Sequence, residues 1–154
     1  MIEIITATTN NDYEAAATLF SEYATWLNID LSFQAFEEEL LQLKEMYHTP
    51  FGIIFLARNE TNFIGCVAVR KKEDSIAELK RMYVQPSFQR SGLGNLLLNK
   101  VLEEAKAMGY KKIWLDTLDN MLSAIKLYKN AGFYEIPAYY FYPEKNAVFF
   151  EKLL

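Results

Sequence analysis

The sequence predicts a mixed α/β fold in which helices cover a twisted sheet. The chain has 154 residues, which is long enough for one domain with a substantial core. Apolar residues recur at helical spacing in four segments and in strand-like runs in about seven others. Their order is one strand, two helices, three strands, a helix, a strand, a helix and two strands. We therefore expect a single domain over residues 1–154.

The first fifty residues predict one strand and two helices. Residues 2–8 alternate loosely and are typical of a strand. Asn11 and Glu14 have the spacing of a capping box at the start of the first helix. The second helix follows Ser32, and its acidic run Glu37–Glu39 is expected on the solvated side. The apolar faces of the two helices consist of Ala16, Leu19, Phe20, Tyr23 and Leu27, and of Phe33, Phe36, Leu40, Leu43 and Tyr47.

Three strands are predicted next, joined by short polar turns. They cover Gly52–Arg58, Phe63–Arg70 and Ser75–Val84. The first of them is almost entirely apolar, so we expect it to be buried on both faces.

The third of these strands has an irregular apolar pattern. Ala77 and Leu79 are at odd-numbered positions, whereas Met82 and Val84 are at even-numbered positions. In a regular strand the two pairs would therefore face opposite sides of the sheet. One extra residue near Lys80–Arg81 would bring all four to the same face, which is what a β-bulge does. A bulge would also splay the end of the strand and free its backbone groups for a ligand. The alternative is a strand that is apolar on both faces.

The remaining segments complete an alternating α/β arrangement. The strand–loop–helix–strand unit over residues 76–115 predicts a crossover between parallel strands. The elements after the third strand are a helix over Leu93–Ala105, a strand over Lys112–Leu115, a helix capped by Asp119 or Asn120 that ends at Gly132, an extended aromatic segment over Tyr134–Tyr142, and a last strand over Ala147–Lys152.

A glycine-containing loop lies between the third strand and the helix that follows it. Its sequence runs Gln89, Arg90, Ser91, Gly92, Leu93, Gly94, Asn95. The first N–H groups of a helix have no partner inside the helix and carry partial positive charge, which suits a phosphate. Glycine lets a ligand approach those groups closely. The loop therefore predicts a pyrophosphate site, and a simple strand-to-helix turn is the alternative.

Composition and charge exclude several classes of protein. The net charge of −4 divides into −8 over residues 1–69 and +4 over residues 70–154. Lys and Arg do not form a stripe with aromatic residues, so nucleic-acid binding is not indicated. The single cysteine, Cys66, excludes an internal disulfide and is expected to be a small core residue. The N-terminus does not resemble a signal peptide, no apolar run could span a membrane, and we expect a cytoplasmic protein.

Two blocks of sequence carry a family resemblance. The first runs from Glu78 to Val84 and continues as Gln89–Gly94, and the second is Ala124–Tyr128 followed by Gly132–Phe133. Together they resemble the GNAT family of acetyl-CoA-dependent N-acetyltransferases over about residues 50–135. The resemblance implies a mostly antiparallel GNAT-like sheet with a bulged central strand, acetyl-CoA as co-substrate, and no metal.

The resemblance also implies roles for individual residues. Tyr128 would protonate the departing thiolate, although it also suits the core side of a helix. Glu78 would be the general base, with Asp116 and Glu135 in reserve, although it is also compatible with an ordinary charged strand residue. His48 is expected at the surface. The donor would be bound through the backbone of Met82, Tyr83 and Val84 and through the loop residues Gln89, Arg90, Ser91, Gly92, Leu93, Gly94 and Asn95.

The acceptor is the least defined part of the prediction. Many family members carry Asn where this chain has Met121, so substrate rules do not transfer directly. Aromatic residues at Tyr139–Tyr142, Tyr23 and Trp26 would suit a cationic amine with an apolar body, or would serve packing alone. We expect a small primary amine. The alternatives are a protein or peptide amine, a longer acyl donor, and a non-catalytic acyl-CoA-binding module. A homodimer is left open.

Overall fold

The computed structural model describes all 154 residues, and it confirms the mixed α/β class. The strands are β1 (Ile2–Thr6), β2 (Ile53–Asn59), β3 (Asn62–Glu73), β4 (Ile76–Val84), β5 (Lys112–Leu118), β6 (Tyr134–Ile136) and β7 (Ala147–Leu153). The α-helices are α1 (Asn10–Leu27), α2 (Phe36–Leu41), α3 (Leu43–Met46), α4 (Leu93–Ala107) and α5 (Leu122–Asn130). The strands form one seven-stranded sheet in the order β1-β2-β3-β4-β5-β7-β6.

The sheet is antiparallel except where β4 pairs with β5, as the crossover prediction requires. Its two faces bury two separate apolar cores. Phe55 of β2 faces the core that includes Leu97 and Val101 of α4, whereas Leu56 faces the core that includes Phe20 of α1. Burial of β2 on both faces is therefore confirmed, and each fully buried Leu or Phe contributes about 1.5–3 kcal/mol to folding.

The bulge in β4 lies where the apolar pattern predicted it. The register with β3 shifts between the pairs Cys66–Tyr83 and Ala68–Lys80. Arg81 adopts the left-handed conformation with φ of 56°, a conformation that is uncommon outside glycine. As a result, Leu79 and Met82 both pack against the core beneath α4, and the two cationic side chains between them fall on the opposite face.

β4 and β5 separate shortly before the bulge. Their pairing ends at Glu78 and Trp114, although both strands continue. Beyond this point β4 is hydrogen-bonded to β3 on one side only. The sheet therefore contains an unpaired backbone edge in its middle, next to the glycine loop.

The prediction that the second helix is one continuous element is wrong. Residues Ser32–Gln34 form a 3₁₀ turn, and the α-helical part is divided into α2 and α3 at Gln42, whose backbone leaves the helical region. Five α-helices are therefore present instead of four. Glu39 is not solvated: it is 1% exposed and paired with Arg81. A pairing between residues so distant in sequence cannot be detected from helical periodicity.

Three boundaries also differ from expectation. The capping box of α1 is formed by Thr9 and Asp12 rather than Asn11 and Glu14. Neither Asp119 nor Asn120 caps α5, whose N-cap is Met121 without a side-chain hydrogen bond. The segment after α5 forms a strand only as far as Ile136, because the next residue is Pro137, which has no N–H to donate.

The expectations for two single residues are confirmed. Cys66 is fully buried in the core beneath α1, and its thiol donates to the carbonyl of Arg81. His48 is exposed at the end of α3. In addition, none of the helices has the length and apolarity needed to cross a lipid bilayer.

Candidate active site

A cavity of about 430 Å³ lies at the end of β4, between the glycine loop, α1 and α5. It brings together most of the residues that the sequence singled out. Ser91, Leu93 and Glu78 are the predicted site residues that do not line it. The lining consists of Tyr23, Trp26, Leu27, Met82, Tyr83, Val84, Gln89, Arg90, Gly92, Gly94, Asn95, Asp116, Thr117, Asn120, Met121, Leu122, Ser123, Ala124, Leu127 and Tyr128.

The glycine loop presents unsatisfied donors to this cavity. Gly92 is the N-cap of α4 and has φ of 85°, and Arg90 also has positive φ. None of the backbone N–H groups from Arg90 to Asn95 donates to another protein group. These groups, together with the positive end of the helix dipole, form an arrangement suited to an anion.

Gly94 lies close to α5 and to the end of β4. A Cβ atom at this position would lie 3.4 Å from Leu127 of α5 and 3.9 Å from Met82. Two of the loop residues are oriented differently. Leu93 is buried in the core beneath α4, and the Ser91 hydroxyl donates to the carbonyl of Phe88, so either could contribute to a ligand site only through its backbone.

Tyr128 and Asp116 are two of the ionisable side chains that line the same cavity. Tyr128 of α5 is 5% exposed, and its ring packs edge-to-face on Phe133 with 5.7 Å between centroids. The Tyr128 hydroxyl has no protein partner and remains accessible from the cavity. Burial, together with the nearby Asp116 carboxylate, raises the pKa of Tyr128 above its usual value. Tyr128 is therefore a neutral phenol and a proton donor at physiological pH.

Asp116 of β5 has the opposite capability. Burial raises the pKa of its carboxyl group, as does the like charge of Glu78, although Lys80 and the hydrogen bond from Tyr140 partly oppose this effect. The Tyr140 hydroxyl donates to Asp116 Oδ2 at 2.9 Å. A carboxylate with a raised pKa is a stronger proton acceptor than an ordinary aspartate. The cavity therefore holds one potential acid and one potential base.

A family model described as "Acetyltransferase (GNAT) family" matches residues 14–133. The chain belongs to the GNAT family of acetyltransferases. It is 36% identical to an uncharacterised N-acetyltransferase of Schizosaccharomyces pombe, over 90% of this chain and 86% of that one. It is also 30% identical to an IAA acetyltransferase of Azospirillum brasilense, over 92% of each chain.

The fold comparison agrees with the sequence comparison. A crystal structure of a GNAT-family acetyltransferase from Staphylococcus aureus superposes with a TM-score of 0.81 at 26% identity, covering 99% of both chains. The protein is thus a GNAT-type N-acetyltransferase with acetyl-CoA as co-substrate. The cavity offers two features that suit this donor: free N–H groups for a pyrophosphate and an unpaired edge of β4 for an extended chain.

Glu78 occupies a different environment from the other predicted GNAT site residues. It is 1% exposed and is paired with Arg70 at 3.1 Å, and it accepts a hydrogen bond from Tyr139 at 2.7 Å. Burial alone would raise the pKa of Glu78, but the charges of Lys80 and Arg70 outweigh this effect and hold it below its usual value. Glu78 is therefore a weak proton acceptor that lies outside the cavity. Glu135, the other reserve, lies in β6 at the far edge of the sheet and is also outside the cavity.

A packed cluster of polar side chains, called the polar chamber below, lies next to the cavity, on the side of β4 that faces α2. Arg81 makes a two-point contact with Glu39, at 3.0 and 2.9 Å, and lies over the ring of Phe36. Gln34 and Tyr140 are hydrogen-bonded into the same cluster. The aromatic segment around Tyr140 covers it, and Phe33 contacts both Tyr140 and Tyr142.

Sequence reasoning missed the polar chamber, although one signal was available. Lys80 and Arg81 are consecutive cations within a strand that is otherwise buried. Charged residues are almost never fully buried unless they have partners, so the pair predicted anions elsewhere in the chain. The sequence could not show that Glu39 is one of those partners. Met121, the departure from the family pattern, lines the cavity together with Asn120.

Proposed function

We propose that the protein transfers the acetyl group of acetyl-CoA directly to a primary amine of a small molecule. The amine nitrogen attacks the thioester carbonyl, a C–N bond forms, and the C–S bond breaks. The amine proton passes to a base and the departing thiolate takes a proton from an acid. The observation that carries this proposal is the partner-free hydroxyl of Tyr128 in a cavity that also contains Asp116.

The donor side of the proposal uses the backbone. The N–H groups from Arg90 to Asn95 would bind the pyrophosphate, with Arg90 adding a full charge, whereas the N–H of Gln89, which the sequence also predicted, donates to the Pro86 carbonyl. The unpaired edge of β4 at Met82, Tyr83 and Val84 would hydrogen-bond the pantetheine arm. This assignment is supported by the free donors of the loop and by the end of strand pairing at Glu78.

Tyr128 is the proposed acid, and we favour Asp116 over Glu78 as the base. Asp116 lines the cavity with Tyr128 and its carboxyl group has a raised pKa. Glu78 is enclosed by Arg70 and Tyr139. A role for Glu78 in holding Arg70 and the Tyr139 segment accounts for its burial without any contact with the acceptor.

A small acceptor is favoured by the covering of the polar chamber. Phe33 stacks against the Tyr140 ring at 6.4 Å between centroids, and Gln34 donates to the Tyr140 hydroxyl at 2.7 Å. These contacts place side chains over the cluster, which favours a small acceptor at this position. The name of the Azospirillum relative, IAA acetyltransferase, also points to a small molecule in the case of that protein.

The first prediction tests Tyr128 as the acid. Tyr128→Phe removes the proton donor and keeps the ring packing, so we expect kcat to fall on the order of a hundredfold with the Kd for acetyl-CoA unchanged. CoA release with a panel of amines gives the rate, and calorimetry gives the Kd. Tyr47→Phe is the matched control, because its buried hydroxyl has no hydrogen-bond partner and lies outside the cavity. An unchanged rate in Tyr128→Phe would remove Tyr128 as the acid. If the wild-type protein binds acetyl-CoA but acetylates no amine in the panel, the non-catalytic acyl-CoA-binding module is favoured.

A further inference from the structure

The polar chamber contains buried charges that do not all have partners. Arg81 is paired with Glu39 at 2.9 Å, and Arg70 is paired with Glu78 at 3.1 Å. Lys80 is 5% exposed, and no carboxylate oxygen lies within 4.0 Å of its ammonium group. Its one hydrogen bond is a long contact of 3.4 Å to the amide oxygen of Gln34. The carboxylates of Glu78 and Asp116 act on Lys80 only from a longer distance, so this buried ammonium has no carboxylate in direct contact.

Asp116 is the complementary case on the neighbouring strand. It makes no ion pair, and its one side-chain partner is the neutral hydroxyl of Tyr140. β4 and β5 pair at Glu78 and Trp114, so Lys80 and Asp116 follow two residues later on the same face of adjacent parallel strands. One unpaired cation and one unpaired anion therefore lie side by side where the two strands begin to separate.

Two neutral side chains bridge these charges. The Gln34 amide oxygen accepts from Lys80 and, at 2.8 Å, from Arg81. The Gln34 amide nitrogen donates to the Tyr140 hydroxyl, which in turn donates to Asp116. The bridge thus offers an acceptor oxygen to the cations at one end and a proton donor to the carboxylate at the other.

We infer that the acceptor is a small zwitterion, an α-amino acid or a similar aminocarboxylate, whose carboxylate binds Lys80 and Arg81 and whose amine lies on Asp116. This inference rests on the proposed acetyl transfer to a small amine. Such a molecule offers the same acceptor–donor pattern as the Gln34–Tyr140 bridge, but with full charges. The carboxylate supplies the direct ion-pair contact that Lys80 lacks. Asp116 takes the proton that the ammonium group must lose before its nitrogen attacks the thioester. The second proton, which the nitrogen loses when the amide forms, offsets the one that Tyr128 gives to the thiolate.

The two bridging residues lie in segments that can move without disrupting a regular element. Gln34 belongs to a short 3₁₀ turn that ends at Ala35, which has φ of 55°. Tyr140 belongs to the irregular connection between β6 and β7. Displacing these residues breaks side-chain hydrogen bonds but does not require unfolding of a helix or strand.

The test uses matched sets of three acceptors with the wild-type enzyme. Each set contains an α-amino acid, the corresponding amino acid amide, and the amine in which hydrogen replaces the carboxyl group. We expect kcat/KM, measured by CoA release, to be roughly thirtyfold or more higher for the amino acid than for its amide, as expected when a buried charge loses its partner. Equal values for the acid and its amide, or a preference for peptide amines, would overturn this inference while leaving acetyl transfer intact.

Two variants locate the preference at Lys80. Lys80→Met keeps the volume and removes the charge, so the ratio of kcat/KM for the amino acid to kcat/KM for its amide should fall toward one. Lys80→Arg should retain the preference. Lys44→Met, on the exposed face of α3, is the matched control for the substitution itself. A full preference for the amino acid in folded Lys80→Met would overturn the assignment. If Lys80→Met does not fold, the wild-type sets and Lys80→Arg still decide.

If no amine in any set is acetylated although acetyl-CoA binds, the proposed function fails, and this inference fails with it. If amines are acetylated without regard to the carboxylate, the inference alone fails. The two failures are therefore distinguishable in one assay.

Discussion

The donor side and the acceptor side that we propose for this active site are built from different kinds of group. The donor side consists of backbone groups from one stretch of chain, namely the end of β4 and the glycine loop before α4. The acceptor side consists of side chains brought together from distant positions, such as Gln34, Asp116 and Tyr140. A site made of backbone depends on local conformation, whereas a site made of side chains depends on the whole fold. Damage to the two sides should therefore have different consequences.

The largest effect is expected where the acceptor side is anchored to the fold. Glu39→Ala leaves the buried guanidinium of Arg81 without its anion, which costs about 3–5 kcal/mol of the free energy of unfolding. Chemical denaturation measures this loss, and Glu38→Ala is the control because that neighbouring glutamate is exposed. Similar unfolding free energies for the two variants would show that the ion pair does not support the chamber.

A smaller effect, on rate and pH dependence, is expected at Asp116. Its pKa is raised above the ordinary aspartate value by burial, and a base must be ionised, so kcat/KM should fall as the pH drops through this raised pKa. Asp116→Asn should lower kcat on the order of a hundredfold and remove that acid limb.

The matched control for Asp116→Asn is Glu78→Gln. A raised carboxyl pKa in the folded protein means that stability is present at low pH and is lost as the pH rises through that pKa, so Asp116→Asn should not be less stable at neutral pH. The pKa of Glu78 is lowered instead, so Glu78→Gln should lose stability above the ordinary glutamate pKa and keep the acid limb. Loss of the acid limb in Glu78→Gln but not in Asp116→Asn would make Glu78 the base.

The smallest of these effects, and the one specific to the donor side, is expected at Gly92. Gly92→Val places a branched side chain at φ of 85°, which costs about 1–2 kcal/mol, and the loop relaxes by moving its N–H groups. We expect the Kd for acetyl-CoA to rise roughly tenfold. Gly109→Val is the control, because Gly109 has φ of 96° and open space around it but does not line the cavity. Equal changes in Kd for Gly92→Val and Gly109→Val would show that backbone strain in general weakens binding, and not a change in the glycine loop.

The same contrast explains how much the sequence alone could predict. The β4 bulge was predictable because Leu79 and Met82 face the same core only when an extra residue lies between them. The glycine loop was predictable because its donors are consecutive. The pairing of Glu39 with Arg81 was not: helical spacing places Glu39 on the same face as Phe36 and Leu43, but it does not identify a partner 42 residues away.

The base assignment shows the same limit. Glu78 and Asp116 are both acidic residues on central strands, and sequence position does not show which of them faces an open space. The difference arises from tertiary partners: Arg70 and Tyr139 enclose Glu78, whereas Asp116 has Tyr140 alone. Enclosure of this kind depends on residues up to 61 positions apart, which no local pattern encodes.

The bulge at Arg81 makes the length of β4 more important than its composition. Because a single residue in the left-handed conformation turns Lys80 and Arg81 toward one chamber and Met82 toward the other side, removing or adding one residue in β4 would exchange the faces of every residue after it. Substitutions in the polar chamber should therefore change acceptor choice, if the proposed site is correct, while the proposed donor site persists. An insertion or deletion in β4 would disrupt both sites at once, so divergence among enzymes of this design should proceed by replacing side chains and not by changing the length of this strand.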